Sequence, residues 1–179
     1  VGSPIQAAAE AMTSLVSANN VDPTKITSVE VLLPPQGAKI VDGRHMPDVN
    51  LQYCMAAIAL DGGKLTFEAT HTYERLFEPA IVEMMAKVTL KPNPDFAEME
   101  RQRPATVRIH LSDGSTLEEH CPAVKGTADN PMTRQEIEDK ARDLVGSVYS
   151  DRGADVVQAV MNVESLATAS ELRPLLTEA

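Results

Sequence analysis

One stretch of this 179-residue sequence concentrates groups that could do chemistry: Val41-Asp42-Gly43-Arg44-His45-Met46-Pro47-Asp48-Val49-Asn50-Leu51-Gln52-Tyr53. A guanidinium, an imidazole, two carboxylates, an amide and a phenol crowd a loop that runs into an apolar helix. An arginine such as Arg44 can hold a carboxylate through two parallel hydrogen bonds. A tyrosine keeps its proton at neutral pH, because its ordinary pKa is about 10. It therefore suits hydrogen-bond donation or acid work better than base work. Two readings of Tyr53 stand side by side. It falls in the second turn of an almost wholly apolar helix, where a buried hydroxyl normally finds a partner, so it is either a satisfied core phenol or one aimed into a cleft. Asp48 is likewise either the helix N-cap, accepting from backbone N–H groups, or a binding group with His45 and Arg44.

Elsewhere the chemistry-bearing types are scattered. None of His45, His71, His110 and His120 makes the i, i+4 pair of a helical zinc site, and Cys54 and Cys121 form no Cys-x-x-Cys. No metal site is expected. His120 and Cys121, adjacent on a strand, point to opposite faces, and His110 meets His120 only if the hairpin register aligns them. A Gly-x-Ser-x-Gly elbow, a P-loop and a dinucleotide glycine fingerprint are all lacking. Lys plus Arg is 16 against 26 Asp plus Glu, a formal net charge of −10. That balance argues against nucleic acid and against anionic membrane surfaces as partners. No apolar run reaches the ~18–20 residues of a membrane span. The expectation is an intracellular, cytoplasmic protein with free thiols.

The elements that must position the Val41–Tyr53 stretch are legible from periodicity. Apolar residues are 43% of the chain and aromatics 3%, with no Trp and eight Met, so the core is aliphatic and Met-rich. Ser3-Pro4-Ile5-Gln6 reads as a capping box opening a helix that Asn19-Asn20 stops. Strands are expected at Ile26–Leu33, Lys87–Lys91 and, as a hairpin, Thr106–His120 around Asp113-Gly114, a turn read as type I′. Helices are expected at Asp48–Leu60, Glu78–Ala86, from Thr133 (a second capping box with Glu136), at Ala154–Val163 and at Ser170–Leu176. Ile137, Ala141, Leu144, Val145 and Val148 recur at helical spacing as an inner face. Loops are expected at Pro34–Pro47, Lys91–Arg103 and Pro122–Met132. The sum is an α+β fold: a small, mainly antiparallel sheet with helices packed on one face, over residues 1–132, and a C-terminal helical tail over 133–179. An opening two residues before a helix cap reads as the start of a piece of a longer polypeptide.

Met46-Pro47-Asp48-Val49-Asn50-Leu51-Gln52-Tyr53, followed by Ala56-Ala57 and Asp61-Gly62, resembles a motif of the MmgE/PrpD family, which contains 2-methylcitrate dehydratase. Further matches follow in order: Glu78-Pro79-Ala80-Ile81 with Lys87-Val88, Leu111-Ser112-Asp113-Gly114-Ser115, Gly126 to Thr133 with Glu136 and Lys140, and Glu171 to Leu176. The resemblance implies the smaller α+β lid of a two-part subunit whose other part is an N-terminal helical domain, commonly in a homodimer. It implies a dehydratase-like lyase acting on small polycarboxylates by moving a proton next to a carboxylate, with no cofactor; epimerase and decarboxylase branches are the alternatives. By position it implies Tyr53 as the catalytic residue and Arg44, His45, Asp48 and Gln6 as substrate-binding residues. Gly2-Ser3 stand roughly where members carry a His or Cys, which weakens a plain 2-methylcitrate dehydratase assignment. The chain alone is expected to be inactive. A reading from another class is a free-standing interaction or dimerisation module without catalysis, for which Tyr53 would be sealed in the core.

Overall fold

The computed structural model describes residues 1–99, 103–149 and 152–177. The chain divides into two compact units, Val1–Pro131 and Met132–Ala179.

In the first unit a short 3-10 turn, Ser3–Ile5, leads into α1 (Gln6–Asn19), which ends on Asn20 in the left-handed conformation. The expected Ser3 capping box does not form: Ser3 lies inside the 3-10 turn, and its hydroxyl instead accepts from the Arg103 guanidinium. Strand β1 (Ile26–Leu33) follows, with the expected bounds. A long crossover then carries α2 (Pro35–Val41), α3 (Leu51–Leu60), α4 (Phe67–His71) and α5 (Pro79–Ala86) before β2 (Val88–Pro92). The pattern of apolar residues did not show α2 or α4, which lie in segments read as loop and polar turn. Strands β3 (Ala105–Leu111) and β4 (Thr116–Cys121) close the sheet. Of the expected loop Lys91–Arg103, residues 100–102 lie outside the described residues.

The sheet order is β2-β1-β3-β4. β1 pairs with β2 in parallel and with β3 antiparallel, and β3 pairs antiparallel with β4. The fold is α+β, with a mixed sheet. A parallel pair needs a long connection between its strands, and here that connection is the segment holding the Val41–Tyr53 stretch. The β3–β4 turn also differs from expectation. Gly114 has φ +87° and Asp113 is not in the positive region, so the connection is a tight turn closed by Gly114 N–H to Leu111 C=O rather than type I′.

Val29, Val31, Leu33, Val107 and Ile109 are buried on one face of the sheet, beneath α1 and α3. Met12, Leu15, Met55 and Ile58 complete this aliphatic core. The opposite face is polar. Glu30 sits between Lys91 and Arg108 (Arg108 Nη1 to Glu30 Oε1, 2.7 Å), and Arg108 Nε reaches Glu118, so charges run across all four strands. Donation from Lys91 and then Arg108 holds the Glu30 carboxyl below its ordinary range. The register places His110 opposite Thr116 and His120 opposite Thr106, so the two imidazoles occupy different rungs.

In the second unit, α6 (Arg134–Gly146) opens with the expected box: Thr133 N–H donates to Glu136 Oε2 at 2.7 Å and Glu136 N–H to Thr133 Oγ1 at 3.2 Å. It pairs with α7 (Gly153–Met161), followed by a 3-10 turn and the short α8 (Arg173–Leu176). A Cβ at Gly153 would lie 3.2 Å from Gly146 Cα, so a larger residue would push the two segments apart by a few tenths of an ångström. The expected inner face of α6 is not interior: Ile137, Leu144 and Val148 are 45%, 42% and 72% exposed. Among the described residues no helix is long and apolar enough to cross a membrane.

Candidate functional site

The Val41–Tyr53 stretch is held to the start of α3 by side chains of the helix itself. Asn50, not Asp48, is the N-cap: its Oδ1 accepts from Tyr53 N–H at 2.9 Å. Asp48 sits two positions too early, inside a 3-10 turn, Pro47–Val49, and its side chain is not the cap. The buried Asn50 amide also donates from Nδ2 to Arg44 C=O. Gln52 folds the loop's other arm back, accepting from Gly43 N–H at 3.1 Å and donating to Asp42 Oδ1 at 2.7 Å. The Cys54 thiol donates to Pro47 C=O at 3.3 Å. Asn50 and Gln52 thus organise this loop, roles that sequence reasoning missed. The usable signal was the strong N-cap preference of Asn directly before the apolar run.

On this frame Arg44 is exposed and closes the end of α2, with Nε donating to Ile40 C=O at 2.6 Å and Nη2 to Lys39 C=O at 2.9 Å. Those carbonyls lack helical partners, and a cation there also meets the negative end of the helix dipole. The guanidinium is thereby fixed, and its Nη1 makes no hydrogen bond among the described residues. His45 is exposed, with no hydrogen bond or ion pair among the described residues. Asp48 is half-buried, and its C=O accepts from Gly2 N–H at 2.7 Å. That bond stitches the beginning of the chain to the loop, one helical turn before the half-buried Gln6. Arg44, His45 and Asp48 therefore share one segment, while no described contact brings the Gln6 side chain to them.

Tyr53 lies apart from this group. Its ring is 0% exposed, and its hydroxyl donates to the Ala69 carbonyl of α4. Burial raises the phenol above its ordinary pKa, with the Arg75 guanidinium opposing. Behind Ala69 lies a polar cleft of about 410 Å³, lined by Asp61, Thr66, Glu68, Arg75 and Glu78 among others. Arg75 is already committed there, reaching Asp61 with Nη1 and Nη2 at 2.7 and 2.6 Å. Three carboxylates against one paired guanidinium make that cleft a poor receptor for polycarboxylates. The phenol is a satisfied core group in this fold, its ring buried and its hydroxyl bonded to a backbone carbonyl.

Neither thiol is poised for nucleophilic work. Burial pushes Cys54 up to about 12, and burial together with Glu10 pushes Cys121 up to about 11. Among the described residues no group of three or more His, Cys, Asp or Glu is placed to hold a metal ion.

Compared with known families, residues 1–165 match the model of the MmgE/PrpD C-terminal domain. No curated protein matches the chain.

Proposed function

The chain belongs to the MmgE/PrpD family, and from that premise we propose that it is the lid of an enzyme that moves a proton next to a carboxylate of a small polycarboxylate, as a dehydratase-like lyase. The epimerase and decarboxylase branches are the alternatives within the family. The observation that carries this reading is the family match across residues 1–165. The geometry supports it at one place, the exposed Arg44–His45 corner. Removing a proton beside a carboxylate builds negative charge, which fixed donors stabilise without reorganising. Arg44 is such a donor: two of its nitrogens are spent on helix carbonyls, and Nη1 is free to take a substrate carboxylate against the net charge of −10. His45 is the group of the right type for acid–base work beside it, with Asp48 and Gln6 lining the approach. Tyr53 acts as a positioning residue rather than a proton donor, fixing α3 against α4 through Ala69.

The remaining catalytic groups belong, in this reading, to an N-terminal helical domain of the same protein, working in a homodimer in the cytoplasm. The exposed apolar residues of α6 (Ile137, Leu144) and Val148 just beyond its end support such docking, since burying them would remove apolar area from water. One observation favours the second reading, an interaction module without chemistry: the sealed Tyr53 ring is what that reading expects.

The test is proton exchange. The chain joined to its helical domain is incubated in deuterium oxide with a panel of citrate-like acids, and exchange beside the carboxylates is followed by NMR. Exchange is expected from the joined protein and not from the 179-residue chain. Arg44→Gln is expected to lower it about 10- to 100-fold, the worth of a charged hydrogen bond. Absence of exchange with every acid would leave the module reading in its place.

A further inference from the structure

A groove of about 290 Å³ runs between the 3-10 turn at the start of the chain and α2, lined by Ser3, Pro4, Pro34, Gly37, Ile40 and Arg103 with Gln36 at its side. Its walls are mostly hydrocarbon: two prolines, an isoleucine and a glycine. The turn comes close to Gly37, where a Cβ would lie 3.2 Å from Pro4 Cβ. Among the described residues the one cation of the lining is Arg103, which stands just before β3 with φ +51°. The guanidinium is half used. Nη1 donates to Ser3 Oγ, whereas Nε is buried with no acceptor. Nη2 makes no hydrogen bond among the described residues. The Nε–Nη2 edge is the side of a guanidinium that receives carboxylates through two parallel bonds. Burying a donor without a partner is costly, and native structures rarely leave one.

We infer that this groove is a binding site for a single carboxylate carried on a short aliphatic chain, with Arg103 as the anchor of the carboxylate and Pro4, Pro34 and Ile40 as the bed of the chain. The acid group enters along the groove and meets Nη2. A small turn of the guanidinium about its last bonds then gives Nε its acceptor while Ser3 retains Nη1. The apolar walls exclude water from the pair, which strengthens it. They also select against acids carrying several charges, for which the lining offers no second cation among the described residues. The inference is read from the groove alone and stands apart from the proposed reaction.

The probe is hexanoate, titrated into the 179-residue chain and followed by NMR at the backbone amides of Gly37, Ile40 and Arg103 and at the Arg103 Nε–H resonance. Hexanoate is expected to saturate, with the Nε–H resonance moving furthest. Hexanol, which has the tail without the charge, and acetate, which has the charge without the tail, are each expected to bind at least about tenfold more weakly. Arg103→Gln is expected to lose the same factor while keeping the thermal melting of the parent within a few degrees. Hexanol binding within about twofold of hexanoate, shifts confined to residues outside the groove, or an unchanged hexanoate affinity in a folded Arg103→Gln would each overturn the inference. The comparison of hexanoate with hexanol needs no variant, so a misfolded mutant leaves the test intact. Failure here leaves the family reading standing, and absence of deuterium exchange leaves this site standing.

Discussion

The two compact units use their apolar residues in opposite ways. In Val1–Pro131, α3 is buried nearly all round, from Leu51 through Ala59, against a sheet whose central inner positions, Val29, Val31, Val107 and Ile109, are buried as well. In Met132–Ala179, α6 has no buried residue at all, although its apolar positions repeat with the period of a helix face. The same periodicity thus marks an interior in one unit and an exposed stripe in the other. The physical difference is what is available to cover it. α3 lies within the crossover between two paired strands, whereas α6 has α7 beside it and short turns beyond. A helix of this length gains most of its stability from packing rather than propensity, so an uncovered stripe leaves α6 with less of that support than α3 has.

That contrast can be broken most strongly in the first unit. Ile58→Ala opens a cavity in a fully buried position and is expected to cost ~2–5 kcal/mol in denaturant unfolding; a cost below ~1 kcal/mol would show α3 less tightly enclosed than its burial indicates.

High pH should separate the units next. Burial raises the Cys54 thiol from its ordinary 9.0 to about 12, and burial raises the Tyr53 phenol as well. The unfolded chain therefore releases these protons at a lower pH than the folded one. Stability is full below about pH 9 and is lost as the pH climbs toward 12. The loss should reach a few kcal/mol in the first unit, and Cys54→Ala should remove the Cys54 part of it while leaving the smaller part from Cys121, raised to about 11, and that from Tyr53. The second unit contains neither cysteine and should lack this component. An unchanged slope in Cys54→Ala, measured by denaturation across this range, would refute the assignment.

A smaller effect is expected in the second unit from Gly153→Val, which places side-chain atoms against the Gly146 backbone. Overpacking of this kind costs ~1–3 kcal/mol. Hydrogen exchange should quicken in α6 and α7 and stay unchanged in α3. The smallest is Val148→Lys. In the chain by itself it should alter stability by less than ~0.5 kcal/mol, because the side chain is 72% exposed. In the chain joined to the proposed helical domain it should weaken that association, and an equal cost in both settings would sink the proposed docking role of α6 and the turn that follows it.

Much of the frame was readable beforehand. Strand β1, the β3–β4 hairpin, the Thr133–Glu136 box and the α+β class all follow from alternation, turn residues and caps, which are interactions among near neighbours in the chain. The candidate site was less legible. Its loop was found, because polar types crowd there, but the direction of each side chain was not. Asp48 and Asn50 are equally good caps by type, and the choice fell to Asn50 because its amide could also satisfy Arg44 C=O. Tyr53 could face a cleft or a carbonyl, and the position of α4, sixteen residues on, turned it to Ala69.

Composition, periodicity and capping chemistry were enough to establish an acidic α+β chain with an aliphatic core and a polar loop before a buried helix. Folding alone decided that β2 pairs in parallel, that the Ser3 hydroxyl serves Arg103 one hundred residues away, and that the α6 stripe stays uncovered. The reason is that local interactions select among a few backbone shapes, whereas distant pairings depend on which loop closures the whole chain can satisfy at once.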